Sequence, residues 1–175
     1  HNGHLDIAKK VAELFDELIL VVAVNQEKTP LFSDVERVDL IKKSLSKVKN
    51  IRVDTFEGLI VDFVRSTDSV AIIRGLRHVS DFEFEFQMAM MNFNLNPNIK
   101  SMFMMPDEKY IHLNSTVIKD VARLGGDISD YVPKCVQDAP LGVLGAPTWP
   151  ILHPRQKKIE KILKMVSQME TVSAL

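Results

Sequence analysis

Leu5-Asp6-Ile7-Ala8-Lys9-Lys10-Val11-Ala12, followed a short turn later by Leu18-Ile19-Leu20-Val21-Val22-Ala23-Val24, is the stretch on which the fold turns. In the first part Ala8, Val11, Ala12 and Phe15 recur at helical spacing with lysines on the opposite face. The second part is an unbroken apolar run rich in β-branched residues, the pattern of a strand buried on both sides. Helix then buried strand is half of a βαβ unit, and the rest of the chain repeats it. Ser33-Asp34-Val35-Glu36 has the form of a capping box opening a helix with Val38, Ile41 and Leu45 inward. Ile51 to Thr55 alternates like a strand near a sheet edge, Leu59 to Val64 reads as a short helix, and Val70 to Ile73 as another buried strand. Ser80-Asp81-Phe82-Glu83 has the form of a second capping box, opening a long helix rich in Phe and Met that runs to about Leu95. Ser101 to Met105 is the next strand, Asn114 caps a helix ended by Gly125-Gly126, and Val132-Pro133 begins a short terminal helix. The expected fold class is α/β, a doubly wound parallel sheet. Residues 1–139 form its domain, and 140–175 an atypical Gly/Pro-rich linker and a basic amphipathic helix.

Composition narrows the function classes. With 175 residues the chain suits one well-buried domain plus a tail. Its 46% apolar and 26% charged residues are those of a globular protein, and no run approaches a membrane span. Balanced charge, 22 basic against 23 acidic residues and a net of -1, gives no broad attraction to nucleic acid or anionic lipid, so any phosphate binding is local. The single cysteine, Cys135, cannot form an internal disulfide, which suits a reducing compartment, and reads as a small buried hydrophobe.

In a doubly wound sheet, ligands gather at the carboxyl ends of the strands, and the candidate residues fall there. His1-Asn2-Gly3-His4 puts two imidazoles around a glycine where a helix begins, so ring and backbone N–H groups can converge on an anion; an ordinary exposed helix start is the bland alternative. Lys28 follows the first strand. Arg74 and Arg77 follow the Ile73 strand and bracket Gly75, giving fork-shaped donors and a close backbone approach that suit a polyphosphate; surface ion pairs with Asp81 or Glu83 are the alternative. Asn114-Ser115-Thr116 offers hydroxyls and amides at a helix start, as a phosphate cradle or merely as a cap. Glu85 suits a ribose hydroxyl or a metal-bound water, and equally a solvated acidic helix start. The Met-rich helix reads as core filling, with a subunit interface as the alternative. His78, His112 and His153 have no partner at metal-ligand spacing, so no zinc site is assigned.

Taken together, His1-Asn2-Gly3-His4, Lys28-Thr29-Pro30-Leu31-Phe32, Arg74-Gly75-Leu76-Arg77, Asp81 to Ala89 and the Asn-Ser-Thr helix start resemble the bacterial phosphopantetheine adenylyltransferases in order and spacing, from His1 to about Ala139. The resemblance implies a Rossmann-like nucleotidyltransferase fold and transfer of the adenylyl group of ATP to 4′-phosphopantetheine, giving dephospho-CoA and pyrophosphate. It implies Mg2+ with ATP, a homohexamer and a cytoplasmic location. By the family pattern His4 stabilises the transition state, Lys28 and Arg74 hold the acceptor phosphate, and Leu59 and Ile60 line the pantetheine arm. Gly75, Leu76, Arg77, Glu85 and the stretch Tyr110, Ile111, His112, Leu113, Asn114, Ser115 and Thr116 hold ATP. His4, Lys28 and Arg77 are the residues expected to carry the chemistry.

The chain departs from the pattern in its first strand. Family members place a strand and a Gly-(Ser/Thr)-Phe-Asp-Pro turn before H-x-G-H, so the expectation here is a sheet lacking a middle strand. Leu141 to Leu144 is a short, glycine-interrupted candidate for that place. Phe84 stands where a tyrosine is common, and Asn114 where a serine is. Two other readings stay open: a nucleotidyltransferase with another phosphate-bearing acceptor, or a non-catalytic nucleotide- or CoA-binding assembly subunit.

Overall fold

A computed structural model describes residues 1–24 and 30–139. Lys28, Leu141 to Leu144 and the basic tail pattern therefore lie outside the described residues, as does His153. Helix α1 (Asn2–Ala12) leads to strand β1 (Leu18–Ala23), followed by α2 (Asp34–Ser44), β2 (Ile51–Phe56), α3 (Ile60–Ser66), β3 (Ala71–Gly75), α4 (Val79–Leu95) and β4 (Lys100–Met104). A 3-10 turn (Glu108–Tyr110), α5 (Ser115–Arg123) and α6 (Lys134–Gln137) complete the described chain.

The alternation expected from the apolar periodicity is present, and every strand pairing is parallel. β1 pairs with β2 from Leu18 with Ile51 to Ala23 with Phe56, and β3 pairs with β4 from Ala71 with Lys100 to Gly75 with Met104. Among the described residues no strand joins these halves. A cavity of about 810 Å3 lies between them, lined by Leu18 to Val21 on one side and by Ser69 to Gly75 on the other. Among the described residues the sheet is thus two half-sheets flanking a cleft.

Helices close the halves. Val11 is 1% exposed, and Ala8 and Ala12 are buried beside it, so α1 packs the stripe that its spacing foretold. Asn50, just before β2, donates its side-chain amide to the carbonyls of Ala12 (2.7 Å) and Phe15 (2.9 Å), which ties the turn after α1 to the start of β2. Val61, Val64, Ile72 and Ile99 form one core cluster around α3 and β3; Leu113, Ile118 and Val132 form another beneath α5. Ser33 and Glu36 make both halves of the expected capping box, although the buried side of α2 centres on Leu40 and Leu45 rather than on Val38 and Ile41.

Two expectations are corrected. The capping box expected at Ser80 does not form: α4 begins at Val79 with His78 as its N-cap and no side-chain cap bond. Its Asp81 is instead engaged by Arg77 of the preceding turn, so the helix start carries a local turn-to-helix ion pair. Nor does the Met-rich helix fill the core. Only Asn92 of α4 is buried, whereas Phe84 is 60% and Met91 56% exposed, because the β4 side engages only part of a helix that is apolar nearly all round. Cys135 is half-buried, with its Sγ 3.2 Å from the Ser44 hydroxyl.

Candidate active site

Three elements converge at the open end of the cleft. The first is the start of α1. Asn2 is held twice by the far end of the described chain, its backbone N–H donating to the Tyr131 carbonyl (2.8 Å) and its side-chain amide to the Asp130 carbonyl (3.1 Å). One turn on, Asp6 accepts from the Asp107 backbone N–H (2.7 Å) and pairs with Lys10 (2.9 Å), which fixes α1 against the exit of β4. These ties hold the two imidazoles in place: the His1 and His4 rings stack with centroids 3.7 Å apart, 24° from parallel. A side chain at Gly3 would press on the His1 ring at 3.2 Å, so this glycine permits the stack. His1 Nδ1 is buried with no hydrogen-bond partner among the described groups.

His4 stands on the cleft wall. Lost hydration, aided by nearby positive charge that includes Arg77, lowers its pKa to about 4. Even the ordinary imidazole value of about 6.5 lies below pH 7, so the ring is neutral there and offers one N–H donor.

The second element is the turn leaving β3. Gly75 lets this turn approach α1, since a Cβ there would stand 2.8 Å from Ile7 Cδ1. On either side of it the two arginines are braced by α4. Arg74 donates from Nε to Glu85 Oε2 (2.7 Å) and from Nη2 to Glu85 Oε1 (2.8 Å), a two-pronged pair that raises the arginine's pKa further. Arg77 donates from Nε to Asp81 Oδ2 (3.2 Å) and from Nη1 to the Leu113 carbonyl (2.7 Å). Burial pushes the Asp81 carboxyl upward, but the Arg77 guanidinium outweighs it and holds the group below the usual carboxylate range.

The third element is the start of α5. Here Asn114 acts as a cap, its Oδ1 accepting from the backbone N–H of Thr116 (2.8 Å) and Val117 (3.4 Å). Those two amides are therefore engaged locally. Leu113 is buried and Tyr110 packs on its cluster, while His112 meets Tyr131 edge-on.

One cavity is lined by His1, His4, Ile60, Arg74, Gly75, Arg77, Glu85, Tyr110 and Ser115. The structure therefore brings together groups from α1, α3, β3, α4 and α5 that are far apart in sequence. Leu59, Leu76, Ile111, His112, Leu113, Asn114 and Thr116 are not on its wall. Leu59 is the exposed N-cap of α3, Leu76 donates its N–H to the Met104 carbonyl, and Leu113 turns its carbonyl to Arg77. Sequence reasoning missed the Asn2 and Asp6 ties. Only the Asp6–Lys10 spacing of four signalled one of them, because their backbone partners carry no side-chain signature.

Among the described residues no group of His, Cys, Asp and Glu is arranged to hold a metal ion, and no helix is long and apolar enough to cross a membrane.

Comparison with known proteins adds an independent line. A family model described as cytidylyltransferase-like matches residues 1–121. The chain is 50% identical over 138 residues to a phosphopantetheine adenylyltransferase of Syntrophotalea carbinolica, covering 79% of this chain and 83% of that protein. It is 48% identical over 135 residues to one of Heliobacterium modesticaldum, covering 77% and 80%. A third, of Caldanaerobacter subterraneus subsp. tengcongensis, is 46% identical over 136 residues, covering 78% and 85%.

Proposed function

The chain belongs to the phosphopantetheine adenylyltransferases of the cytidylyltransferase-like family, and from that premise we propose the reaction path by which it makes dephospho-CoA from ATP and 4′-phosphopantetheine. It is a nucleotidyltransferase of coenzyme A biosynthesis. An oxygen of the acceptor's phosphate attacks the α-phosphorus in line. The new P–O bond forms as the bond from the α-phosphorus to the bridging oxygen breaks, and pyrophosphate leaves with that electron pair. No proton has to move and no covalent enzyme intermediate is needed. Catalysis consists of positioning and of stabilising charge on the phosphoryl oxygens.

The observation that best supports this path is the single cleft shared by His4, Arg74, Arg77 and Ser115. Neutral His4 gives an N–H to the α-phosphoryl oxygens, Arg77 neutralises the triphosphate, and Arg74, with Lys28, receives the acceptor phosphate. Ile60 lies beside the pantetheine arm. Magnesium fits this site as the triphosphate's own counter-ion, since among the described residues no group of His, Cys, Asp and Glu is arranged to hold a metal ion and Glu85 on the cleft wall is engaged by Arg74; bound there, it would supply charge neutralisation. The exposed apolar surface of α4 supports assembly with further copies of the chain, as a homohexamer by family resemblance. A cytoplasmic location belongs to the same reading, as the family resemblance implies.

The test is pyrophosphate release from ATP with 4′-phosphopantetheine and Mg2+. His4→Ala should lower turnover by about 10²–10³ while ATP still binds. Ligand binding without release by the wild type would instead support a non-catalytic binding subunit. Equal losses of affinity and turnover in the variant would remove His4 from its role.

A further inference from the structure

Asp6 stands two residues beyond His4 on α1 but off the cleft wall, its side chain 18% exposed. It is nonetheless a carboxylate by which α1 holds the segment after β4. Its Oδ2 accepts from the Asp107 backbone N–H at 2.7 Å and from Lys10 Nζ at 2.9 Å, and Lys10 Nζ also reaches the Met105 carbonyl at 3.4 Å. Asp6 and Lys10, one helical turn apart, thus grip both ends of Met105-Pro106-Asp107. Asp107 passes the grip on. It is the N-cap of the 3-10 turn, and its carbonyl accepts from the Tyr110 N–H at 2.8 Å. Tyr110 lines the cleft and packs so close to α1 that a Cβ at Gly3 would stand 3.4 Å from its own Cβ. The path from Asp6 through Asp107 and Tyr110 back to Gly3 is closed, so the spacing between His4 and the Tyr110 wall depends on a charge-assisted bond at its start.

We propose that Asp6 is a positioning residue for the reaction: by holding the Asp107 amide it sets His4 against the Tyr110 wall of the nucleotide site, without touching either substrate. This rests on the reading above, in which His4 donates to the α-phosphoryl oxygens of ATP. The physical reason is geometric. Asn2 pins the first residue of α1 to Tyr131 and Asp130, and a helix held at one point can still swing about it. Asp6, one turn along, supplies the second point and stops the swing. The stakes are large, because a displacement of about 1 Å imposed from outside a site can cost about 10²-fold in rate. A carboxylate suits the task, since it accepts from a backbone amide and from Lys10 at once.

The test pairs pyrophosphate-release kinetics with calorimetric binding of each substrate alone, at a temperature where circular dichroism shows every variant folded. Asp6→Ala should lower kcat about 30-fold and weaken ATP binding about fivefold, with 4′-phosphopantetheine affinity changed less than twofold. Asp6→Asn, which keeps an oxygen for the Asp107 amide, should recover most of the loss. Asp107→Pro removes the same N–H from the other side, at a φ of -58° that suits proline, and should reproduce the Asp6→Ala pattern even if Asp6→Ala fails to fold. Asp107→Ala, which keeps that N–H, should stay within threefold of the wild type. In a His4→Ala background, Asp6→Ala should lower turnover less than threefold further, because Asp6 acts on turnover through His4. Full multiplicative losses in that double variant would overturn the proposal, as would a lowered Tm with kcat and ATP affinity unchanged, or equal losses of affinity for both substrates. A wild type that binds both substrates but releases no pyrophosphate would refute the reaction path, and the ATP-against-acceptor binding comparison would still decide the role of Asp6.

Discussion

Replacing Arg77 with alanine separates a structural duty from a catalytic one. In the folded chain this guanidinium ties the exit of β3 to the entry of α5 through the Leu113 carbonyl at 2.7 Å, and to α4 through Asp81 at 3.2 Å. The ion pair is partly exposed and is worth about 0.3–0.5 kcal/mol. A charged donor to a carbonyl is worth about 1.5–3 kcal/mol when dry, and near the lower end here because Arg77 is only half-buried. Arg77→Ala should therefore cost about 2 kcal/mol, lowering Tm by roughly 4–8 °C for a domain of this size. Asp81→Asn, which removes the ion pair and spares the Leu113 bond, should cost about 0.5 kcal/mol. If the same guanidinium also faces charge growing on the triphosphate, Arg77→Ala should lower kcat by about 10²–10³ at a temperature where the variant is fully folded. Arg77→Lys should restore charge without restoring the fork, and so recover little of either quantity. Thermal unfolding and pyrophosphate release, measured on the same samples, give both numbers. A variant destabilised as expected but turning over within threefold of the wild type would show that Arg77 is a structural tie and would refute its catalytic assignment.

Gly75→Val should destabilise the chain by about 1–3 kcal/mol in chemical denaturation, because a branched side chain would press on Ile7 where even a Cβ stands 2.8 Å away; Gly75→Ala should cost less, since the Ile7 methyl can turn aside, and an unchanged midpoint for Val would discount the close approach. The His4 ring should titrate in NMR with a midpoint well below 6, and because its folded pKa lies below the unfolded value, its contribution to stability is present above about pH 6.5 and is lost as pH falls toward 4. A midpoint at or above 6.5 would contradict the desolvated ring. Phe84→Glu with Met91→Glu should reduce the assembly size measured by light scattering while the fold seen by circular dichroism is kept; unchanged size would place the subunit contacts elsewhere.

The fold was legible where a local pattern answers to one partner surface. The continuous run Leu18 to Val24 was readable as a strand, although of its residues only Val22 is buried, and Ser33 with Glu36 carries its own partner three residues away, so both elements were readable from order alone. Ser80 to Glu83 has the same letters as a capping box, yet an adjoining local pair competes with it: Arg77, just before the helix, claims Asp81, and α4 starts one residue earlier than Ser80. The Met-rich helix misled for a related reason. Hydrophobicity shows that a face wants covering, but not whether the same chain or another copy covers it.

The site divides along the same line. Which residues stand at the carboxyl ends of strands follows from counting elements, so His4, Arg74, Arg77 and Ser115 could be nominated without coordinates, and all four line one cleft. What each of them touches does not follow from counting. Arg74 had several acidic residues within reach along α4, and only the direction in which β3 delivers its side chain selects Glu85 over Glu83. That selection matters for mechanism. An arginine held at both prongs meets a phosphate in one orientation. In this chain the two ends of the reaction, acceptor phosphate and triphosphate, are thus linked through one helix face, and a disturbance of α4 should be felt first in the alignment of the two substrates and only afterwards in stability.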